Sequence, residues 1–542
     1  MTDQRTDTLA AGVLLLRTGD DVAVATRALE PGDEIAPDGQ AVVVTTVVPR
    51  SHKVALRDLP AGAPVHKYGQ VIGVTTEPVP AGAHVHSHNL VFEDGERAHE
   101  LGGTHTELEV PAGPRPTFRG YRRADGRVGT RNYVAILTSV NCSASTAKMI
   151  AAQFPDSALE AFPNVDGVVA LTHQSGCGLV PESEGGSILL RTLRGYAAHP
   201  NISAILVLGL GCEMILTSQL STRSGAGVGP SIALGMPTIG APRHGDELLA
   251  DIPSDTLVET MTIQETGGVR ASVRAGVEAV RRMLPVVDQR EREDIDVSEL
   301  VLALNCGGSD GYSGITANPA LGWVSDRLVA YGATSALAET PEVFGAEHLL
   351  TRRARTPEVA QKLLDQIEWW KGYAAAGGGS LDNNPSPGNK AGGLTTILEK
   401  SLGAVAKGGQ ADLSEVYDYA EPMAPHAGFV FMDTPGYDPV SVTGLVAGGA
   451  NVVVFTTGRG SVFGCRPSPS IKVATNTEMY DRMSEDMDVN AGRIVDGTAT
   501  LEEVGQELFD LVLAVASGER TVSEDMGIGV EEFVPWHMGT VT

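Results

Sequence analysis

Four of the five cysteines occupy the same position in the sequence pattern. Each follows a short apolar run typical of a buried parallel strand, and each lies beside a glycine or a small polar residue. Because ligands bind at the carboxyl ends of parallel strands, we expect these thiols to converge at one edge and to hold a transition metal or a cluster. The predicted ligands are Cys142, Cys177, Cys212 and Cys306, whereas Cys465 lies well past its strand.

Cys306 belongs to a segment that we call the glycine turn, residues 305–311, with the sequence NCGGSDG. Adjacent glycines let the backbone approach a ligand closely, so the turn predicts a binding site with Ser309 and Asp310 as substrate contacts. The alternative is a tight strand-to-helix connection that carries an inert, buried thiol.

Two further polar loops predict anion binding. The lysine loop, residues 384–393, has the sequence NPSPGNKAGG and precedes a helical stretch, which places Asn389 and Lys390 where an anion can bind. The arginine loop, residues 456–461, has the sequence TTGRGS and follows an apolar strand. Its Arg459 offers a guanidinium that matches a carboxylate in two-pronged geometry, with Thr457 beside it.

The first hundred residues hold short strand-like runs separated by Pro-Gly and Ala-Gly turns, a pattern that predicts a small all-β domain. Its sequence HVHSHN places His84, His86 and His88 at alternate positions, so the three rings point to one side of a strand. They predict contact with a metal or an anion, and Lys67 is a further substrate-binding candidate. The alternative is a solvated surface strand.

After residue 119 the apolar runs alternate with helical stretches, which is typical of parallel sheets with βαβ crossovers. The predicted fold is therefore α/β: a small N-terminal all-β domain followed by two α/β domains with mainly parallel sheets. The expected domains are residues 1–103, 117–287 and 296–542, separated by a turn-rich linker over 101–119 and a charged boundary over 288–299.

Composition narrows the class of function. A formal charge of −27 over 542 residues argues against a nucleic-acid partner, because no basic stripe is present to neutralise phosphates. No apolar run reaches the length of a membrane span, and the N-terminal segment lacks the basic start of a signal peptide. An odd number of dispersed cysteines fits a reducing compartment, so we expect a cytoplasmic protein. We also expect an enzyme that acts on a small-molecule substrate and that assembles as a homo-oligomer.

Long motifs resemble the altronate/galactarate dehydratase family of hydro-lyases over essentially the whole chain. They include GYRRADGRVGTRNY from Gly120, NCGGSDGYSGITANPALG from Asn305, ETPEVFGAEH from Glu339, NPSPGNKAGGLTTILEKSLG from Asn384 and TTGRGSVFG from Thr456. The N-terminal region resembles the SAF (β-clip) domain of these enzymes through HKVALRDLPAGAPVHKYGQVIG and HVHSHN. One departure is the sequence HQSG at His173, where Gly or Thr is expected beside the histidine.

The resemblance implies loss of water from an aldonate or aldarate to give a 2-keto-3-deoxy acid, with iron as Fe²⁺ or a cluster, or Mn²⁺ in its place. The α-proton of a carboxylate is weakly acidic, so a metal must stabilise the enediolate while a base removes the proton. His173 is the expected base, Lys472 the alternative, and Arg459 and Lys390 are expected to hold the substrate carboxylate. Two alternatives are a lyase that eliminates sulfite and a metal-dependent sensor without turnover.

Overall fold

The computed structural model describes residues 12–37, 39–95, 99–215 and 252–538. An antiparallel β domain comes first, followed by a four-stranded and then a seven-stranded parallel sheet, both flanked by helices. The predicted fold class is confirmed.

The N-terminal domain consists of short antiparallel strands, because Pro-Gly and Ala-Gly turns interrupt its sequence every few residues. One sheet has the order β1-β2-β5-β8, a second has the order β6-β7-β9, and β3 pairs with β4. The strands are β1 (Val13–Leu14), β2 (Val22–Ala25), β3 (Glu34–Ile35), β4 (Val42–Val43), β5 (Lys53–Ala55), β6 (Pro64–Lys67), β7 (Gln70–Thr75), β8 (His84–Val85) and β9 (Leu90–Val91).

The second domain is built on a four-stranded parallel sheet of order β13-β12-β14-β15. Strands β12, β13 and β14 are buried along their whole length, as expected for continuous apolar runs between two layers. The strands are β10 (Thr117–Arg122), β11 (Val128–Gly129), β12 (Tyr133–Thr138), β13 (Gly167–Leu171), β14 (Ile202–Gly209), β15 (Leu257–Thr262) and β16 (Glu293–Asp296). The helices are α1 (Ala144–Ala151), α2 (Asp156–Leu159), α3 (Glu184–Ala197), α4 (Ile263–Thr266) and α5 (Val269–Val287).

The segments expected as linker and boundary contain regular structure. Strands β10 and β16 pair in antiparallel fashion, and β11 completes a three-stranded sheet of order β11-β10-β16. The charged residues of 288–299 concealed this strand from sequence reasoning, since three of its four residues are charged and only Ile295 is buried.

The C-terminal domain is built on a seven-stranded parallel sheet of order β19-β20-β18-β17-β21-β22-β23. The strands are β17 (Val301–Cys306), β18 (Thr334–Leu337), β19 (Leu413–Tyr417), β20 (Phe429–Met432), β21 (Val452–Thr457), β22 (Ser470–Ala474) and β23 (Val489–Asn490). The helices are α6 (Ala317–Ala330), α7 (His348–Thr351), α8 (Pro357–Ala376), α9 (Pro387–Ala391), α10 (Ile397–Val405), α11 (Asp438–Ala447), α12 (Thr477–Arg482), α13 (Leu501–Ala516) and α14 (Val522–Asp525).

The order of these strands fixes the place of a ligand. The crossover from β17 to β18 runs in one direction across the sheet, and the crossover from β20 to β21 runs back in the other. Since such crossovers are right-handed, α6 and α11 cover opposite faces, and a crevice opens at the carboxyl ends of the central strands. No helix in the described ranges has the length and apolar character needed to span a membrane.

Candidate active site

Three loops meet beyond the carboxyl ends of β17 and β21. The Gly308 carbonyl in the glycine turn accepts two backbone N–H groups from the arginine loop, at 3.1 and 2.8 Å. The Ser309 carbonyl accepts the side-chain amide of Asn389 in the lysine loop at 2.7 Å. The glycine turn and the arginine loop follow strands, as the sequence predicts, and the hydrogen bonds bring the lysine loop to the same place.

The N-terminal domain docks on these loops. Ser51 Oγ donates to the Gly392 carbonyl at 2.9 Å, and Lys53 Nζ donates to the Gly393 carbonyl at 2.7 Å. The approach is close enough to require glycine in the glycine turn, because a Cβ on Gly311 would lie 2.1 Å from the Ser51 carbonyl oxygen. The β domain thus forms one wall of the crevice.

A buried ionic group, the interdomain triad of Lys53, Glu399 and Lys67, fastens this wall. The Glu399 carboxylate accepts from Lys53 Nζ at 2.9 Å and from Lys67 Nζ at 2.8 Å, and all three side chains are fully buried. Burial alone would raise the pKa of Glu399, but the two ammonium groups hold that pKa well below its usual range. Lys67, predicted to bind substrate, instead has its ammonium group directed at Glu399.

Above the lysine loop lies the histidine cluster, which consists of His52, His84 and His86. Their ring nitrogens lie within 4.8 Å of one another, and His52 Nδ1 is 2.9 Å from His84 Nε2. Burial, together with neighbouring imidazoles and Lys53, lowers the pKa of His84 to about 3 and that of His86 to about 4, so both are neutral at pH 7. His88 is exposed, with its ring centroid 5.3 Å from that of His84.

This cluster fits a divalent metal such as Fe²⁺ or Mn²⁺. Neutral imidazoles are good ligands for iron, and one ring nitrogen from each of the three lies within 4.8 Å of the others. His86 Nδ1 is buried and has no hydrogen-bond partner in the described part of the chain, although buried polar atoms are normally paired.

A second polar group, the thiol–carboxylate cluster, lies deeper, at the carboxyl ends of β17 and β18. Lys407 Nζ donates to Cys306 Sγ at 2.8 Å and lies 3.6 Å from Glu339 Oε2. Lys400 Nζ donates to Glu342 Oε1 at 2.6 Å. The members, all buried, are Cys306, Glu339, Glu342, Lys400 and Lys407.

The thiol–carboxylate cluster does not fit a cation, although Cys306, Glu339 and Glu342 bring donor atoms within 4.8 Å of one another. Two buried ammonium groups already supply the positive charge, and burial raises the pKa of the Cys306 thiol to about 11. A metal ligand must be a thiolate, so the structure favours Cys306 as a hydrogen-bond partner of Lys407.

The mouth of the thiol–carboxylate cluster is formed by Asn384 and Asp438, both partly exposed. Asn384 bridges Lys400 and Glu342 through its side chain, at 2.8 Å to each. Asp438 lies over the glycine turn, with Oδ2 2.3 Å from where a Cβ on Gly307 would be. Burial and the nearby Glu342 carboxylate raise the pKa of Asp438 to about 7.

Several predicted substrate contacts are used internally. The Asp310 carboxylate accepts from Tyr312 N, Ser313 Oγ, Thr475 Oγ1 and Asn476 Nδ2 at 2.9 to 3.1 Å. Asn389 caps its own helix, and Thr457 Oγ1 accepts the N–H of Gly460. These three side chains are buried, and their hydrogen bonds hold the loops in shape.

Lys390 and Arg459 remain available. Arg459 is exposed and Lys390 is partly exposed, and within the described ranges neither side chain has a hydrogen bond or an ion pair. The Arg459 stem lies beside the lysine loop, with Cδ 3.1 Å from where a Cβ on Gly392 would be.

The two predicted bases differ in the structure. His173 lies in the second domain, where Nε2 is 3.1 Å from the Thr138 carbonyl and Nδ1 accepts the N–H of Ser175 at 3.2 Å. Both ring nitrogens are thus occupied, which disfavours His173 as the base. Lys472 lies within β22; its Nζ is buried and has no hydrogen-bond partner among the described residues, and burial lowers its pKa.

The four predicted cysteine ligands fall into two groups. Cys142, Cys177 and Cys212 are exposed on loops that follow β12, β13 and β14, and two of these loops are linked by the Met214 N–H donating to the Cys177 carbonyl at 3.0 Å. Cys306 lies in the other parallel sheet. Convergence at a sheet edge holds only for strands of the same sheet, so the shared strand-end placement supports a common site for the first three thiols and not for Cys306. A single site with four thiols remains a prediction.

Sequence reasoning missed most of the thiol–carboxylate cluster. Glu339 lies two residues after the end of strand β18. The rule that ligands bind at the carboxyl ends of parallel strands, which we applied to the cysteines, would therefore have found it. Lys400 and Lys407 come from α10 and the turn after it, and no strand-end pattern marks them.

The fold is that of a multidomain α/β protein in which the N-terminal β domain packs on the loops at the carboxyl ends of a parallel sheet. Family profiles match along the chain: the altronate/galactarate dehydratase SAF domain at residues 11–93, the D-galactarate dehydratase/altronate hydrolase second domain at 120–288, and the D-galactarate/altronate dehydratase C-terminal domain at 297–541.

Whole-length relatives agree. Galactarate dehydratase (L-threo-forming) of Escherichia coli K12 is 37% identical over 530 residues, which cover 97% of this chain and 96% of the relative. Altronate dehydratase of Bacillus subtilis 168 is 34% identical over 92% of this chain and 94% of the relative. The chain therefore belongs to the D-galactarate/altronate dehydratase family and is a carbon–oxygen lyase. The subunit beta of a (2R)-sulfolactate sulfo-lyase from Chromohalobacter salexigens is 32% identical over 77% of this chain and 96% of the relative.

Proposed function

We propose that this protein dehydrates an aldonate or aldarate, such as altronate or galactarate, to a 2-keto-3-deoxy acid. The observation that carries the proposal is that the histidine cluster and the thiol–carboxylate cluster flank one glycine turn. Gly307 lies under Asp438, and Gly311 bonds to the lysine loop beneath His52. Residues 307 and 311 are four peptide units apart, so their Cα atoms lie within about 14 Å of each other, which keeps the two clusters close together.

The histidine cluster would hold the metal, which when bound supplies a positive charge that stabilises the enediolate. Arg459 and Lys390 hold the substrate carboxylate, since both cations are accessible on loops that meet at the glycine turn. His88, exposed beside the cluster, contacts a substrate hydroxyl, and Ser309 is placed to do the same from the glycine turn.

Asp438 is our candidate for the base that removes the α-proton. It stands at the mouth, over the glycine turn, and a pKa of about 7 suits proton transfer at neutral pH. Lys472 is the alternative base, because its amino group has no partner among the described residues. The two assignments predict different pH profiles of turnover. They also predict which variant, at Asp438 or at Lys472, loses proton exchange at C2.

The three exposed cysteines remain a second proposal for iron. Cys142, Cys177 and Cys212 are soft ligands on neighbouring strand ends, whereas the histidine donors already lie within 4.8 Å of one another. We favour the histidine cluster for that reason.

Turnover with a substrate panel tests the function. The purified full-length chain, supplied anaerobically with Fe²⁺ or Mn²⁺, should form 2-keto acid from at least one aldonate or aldarate. A sulfonated hydroxy acid belongs in the same panel because of the sulfo-lyase relative. Release of sulfite without any sugar-acid dehydration would contradict the proposal.

A further inference from the structure

Glu339 is the most unusual side chain in the crevice. It is fully buried at the carboxyl end of the central strand β18, and neither carboxylate oxygen has a hydrogen-bond partner in the described part of the chain. Lys407 Nζ approaches to 3.6 Å, which is beyond hydrogen-bond distance. A buried carboxyl group without donors is costly, so its oxygens are expected to serve a ligand.

The backbone of Glu339 points the same way. Its φ is +72°, in the left-handed region that favours glycine, yet a long side chain occupies the position. Strained residues of this kind cluster at functional sites, where surrounding structure holds them. In this conformation the side chain lies in the thiol–carboxylate cluster, which the partly exposed Asp438 and Asn384 border.

We propose that Glu339 is the acid that protonates the departing β-hydroxyl of the substrate, a role that rests on the proposed dehydration. The base takes the C2 proton, and the C2–H electron pair forms the C2=C3 double bond. The C3–O bond breaks, and its electron pair leaves with the oxygen, which accepts the Glu339 proton and departs as water. The resulting enol takes a proton from solvent at C3 and releases its C2 hydroxyl proton to solvent as the C2 carbonyl forms. Transfer of the C2 proton from the base to Glu339 restores both groups.

The surroundings suit both states of the group. Burial and the neighbouring Glu342 carboxylate raise the pKa of Glu339 well above its usual value, which favours the protonated carboxyl group that a general acid requires. After donation, Lys407 at 3.6 Å faces the new carboxylate. Cys306 and Lys400 are buried beside Glu339.

The Glu339→Gln variant tests the role, because glutamine keeps the shape and cannot donate the proton of an acid. Dehydration should slow at least roughly 100-fold in kcat, the lower end of general-acid effects. An analogue with fluorine in place of the C3 hydroxyl provides the rescue, since fluoride leaves without prior protonation. Fluoride release by the variant should stay within a few-fold of that by the wild type.

Two comparisons keep the test sharp. Glu415→Gln, in a partly exposed ion pair with Lys362, is the matched control and should leave both reactions unchanged. Glu339→Asp keeps the acid but moves it, so it should fall between the wild type and Glu339→Gln. Normal dehydration by Glu339→Gln, or equal slowing of both substrates, would overturn the role of Glu339 while leaving the proposed function intact. Failure of the wild type with every sugar acid would refute the proposed function and this role together.

Discussion

Replacement of Glu399 by glutamine removes the one negative charge of the interdomain triad and leaves two buried ammonium groups facing each other. Breaking a buried pair from one side costs about 3–5 kcal/mol, because the remaining charge stays desolvated and unpaired. Both Lys53 and Lys67 are fully buried, so solvent does not screen the loss. We expect the ratio of undocked to docked N-terminal domain to rise roughly 100- to 4,000-fold, at about 1.4 kcal/mol per factor of ten.

Two measurements detect this change in the full chain. Limited proteolysis should cut the connecting segment around residues 93–117 much faster in Glu399→Gln, and hydrogen exchange should rise at the Gly392–Gly393 contact. Glu415→Gln is again the control, since its ion pair with Lys362 is partly exposed and such pairs contribute about 0–1 kcal/mol. A triple apolar replacement, Lys53→Met, Glu399→Leu and Lys67→Met, should restore docking because no buried charge is left unpaired.

The triad also predicts an acid dependence. The folded pKa of Glu399 lies below its usual value of 4.5, so its stabilising contribution is fully present above that value and is lost as the pH falls through the folded pKa. The difference between wild type and Glu399→Gln should therefore be constant near neutrality and shrink under acid. Equal protease resistance of Glu399→Gln and Glu415→Gln at pH 7 would refute this reasoning.

Further variants test the metal and the anion contacts. His84→Gln should lower bound Fe²⁺ or Mn²⁺ by metal analysis, while His105→Gln, a surface histidine beside Asp412, should not. Cys177→Ser should keep its metal. Loss of metal in Cys177→Ser together with normal metal in His84→Gln would show that the exposed cysteines hold the iron. Arg459→Gln should raise KM roughly 10- to 150-fold, because a charged hydrogen bond contributes about 1.5–3 kcal/mol; Arg482→Gln, exposed on α12, should leave KM unchanged.

The sequence predicts the strands of this fold well where they are apolar. The runs before Cys142, Cys177, Cys212 and Cys306 all form parallel strands, and the polar segments after residues 305, 384 and 456 all lie at one crevice. A strand that is buried along its whole length requires an uninterrupted apolar run. Such a run can be recognised in the sequence without knowing which strands lie beside it. Strand β16 escaped because a half-exposed strand of charged residues has no such run.

Side-chain roles depend on contacts that sequence does not show. Asp310 reads as a free carboxylate until four donors from residues 312, 313, 475 and 476 surround it. Lys67 reads as a surface cation until Glu399, more than three hundred positions away, pairs with it. All four cysteines follow predicted strands, but Cys306 belongs to a different sheet from the other three. The position of a residue after a strand does not show which strands form the same sheet.

Isotope exchange during turnover tests the central claim most directly. The full-length chain, reduced and loaded with Fe²⁺ or Mn²⁺, is incubated with galactarate and with altronate in deuterium oxide, and the product is examined by NMR and mass spectrometry. The account predicts a 2-keto-3-deoxy acid with one solvent deuterium at C3, because the enol formed in the crevice is reprotonated there. Absence of any 2-keto-3-deoxy acid from the whole aldonate and aldarate panel, or a product without deuterium at C3, would contradict it.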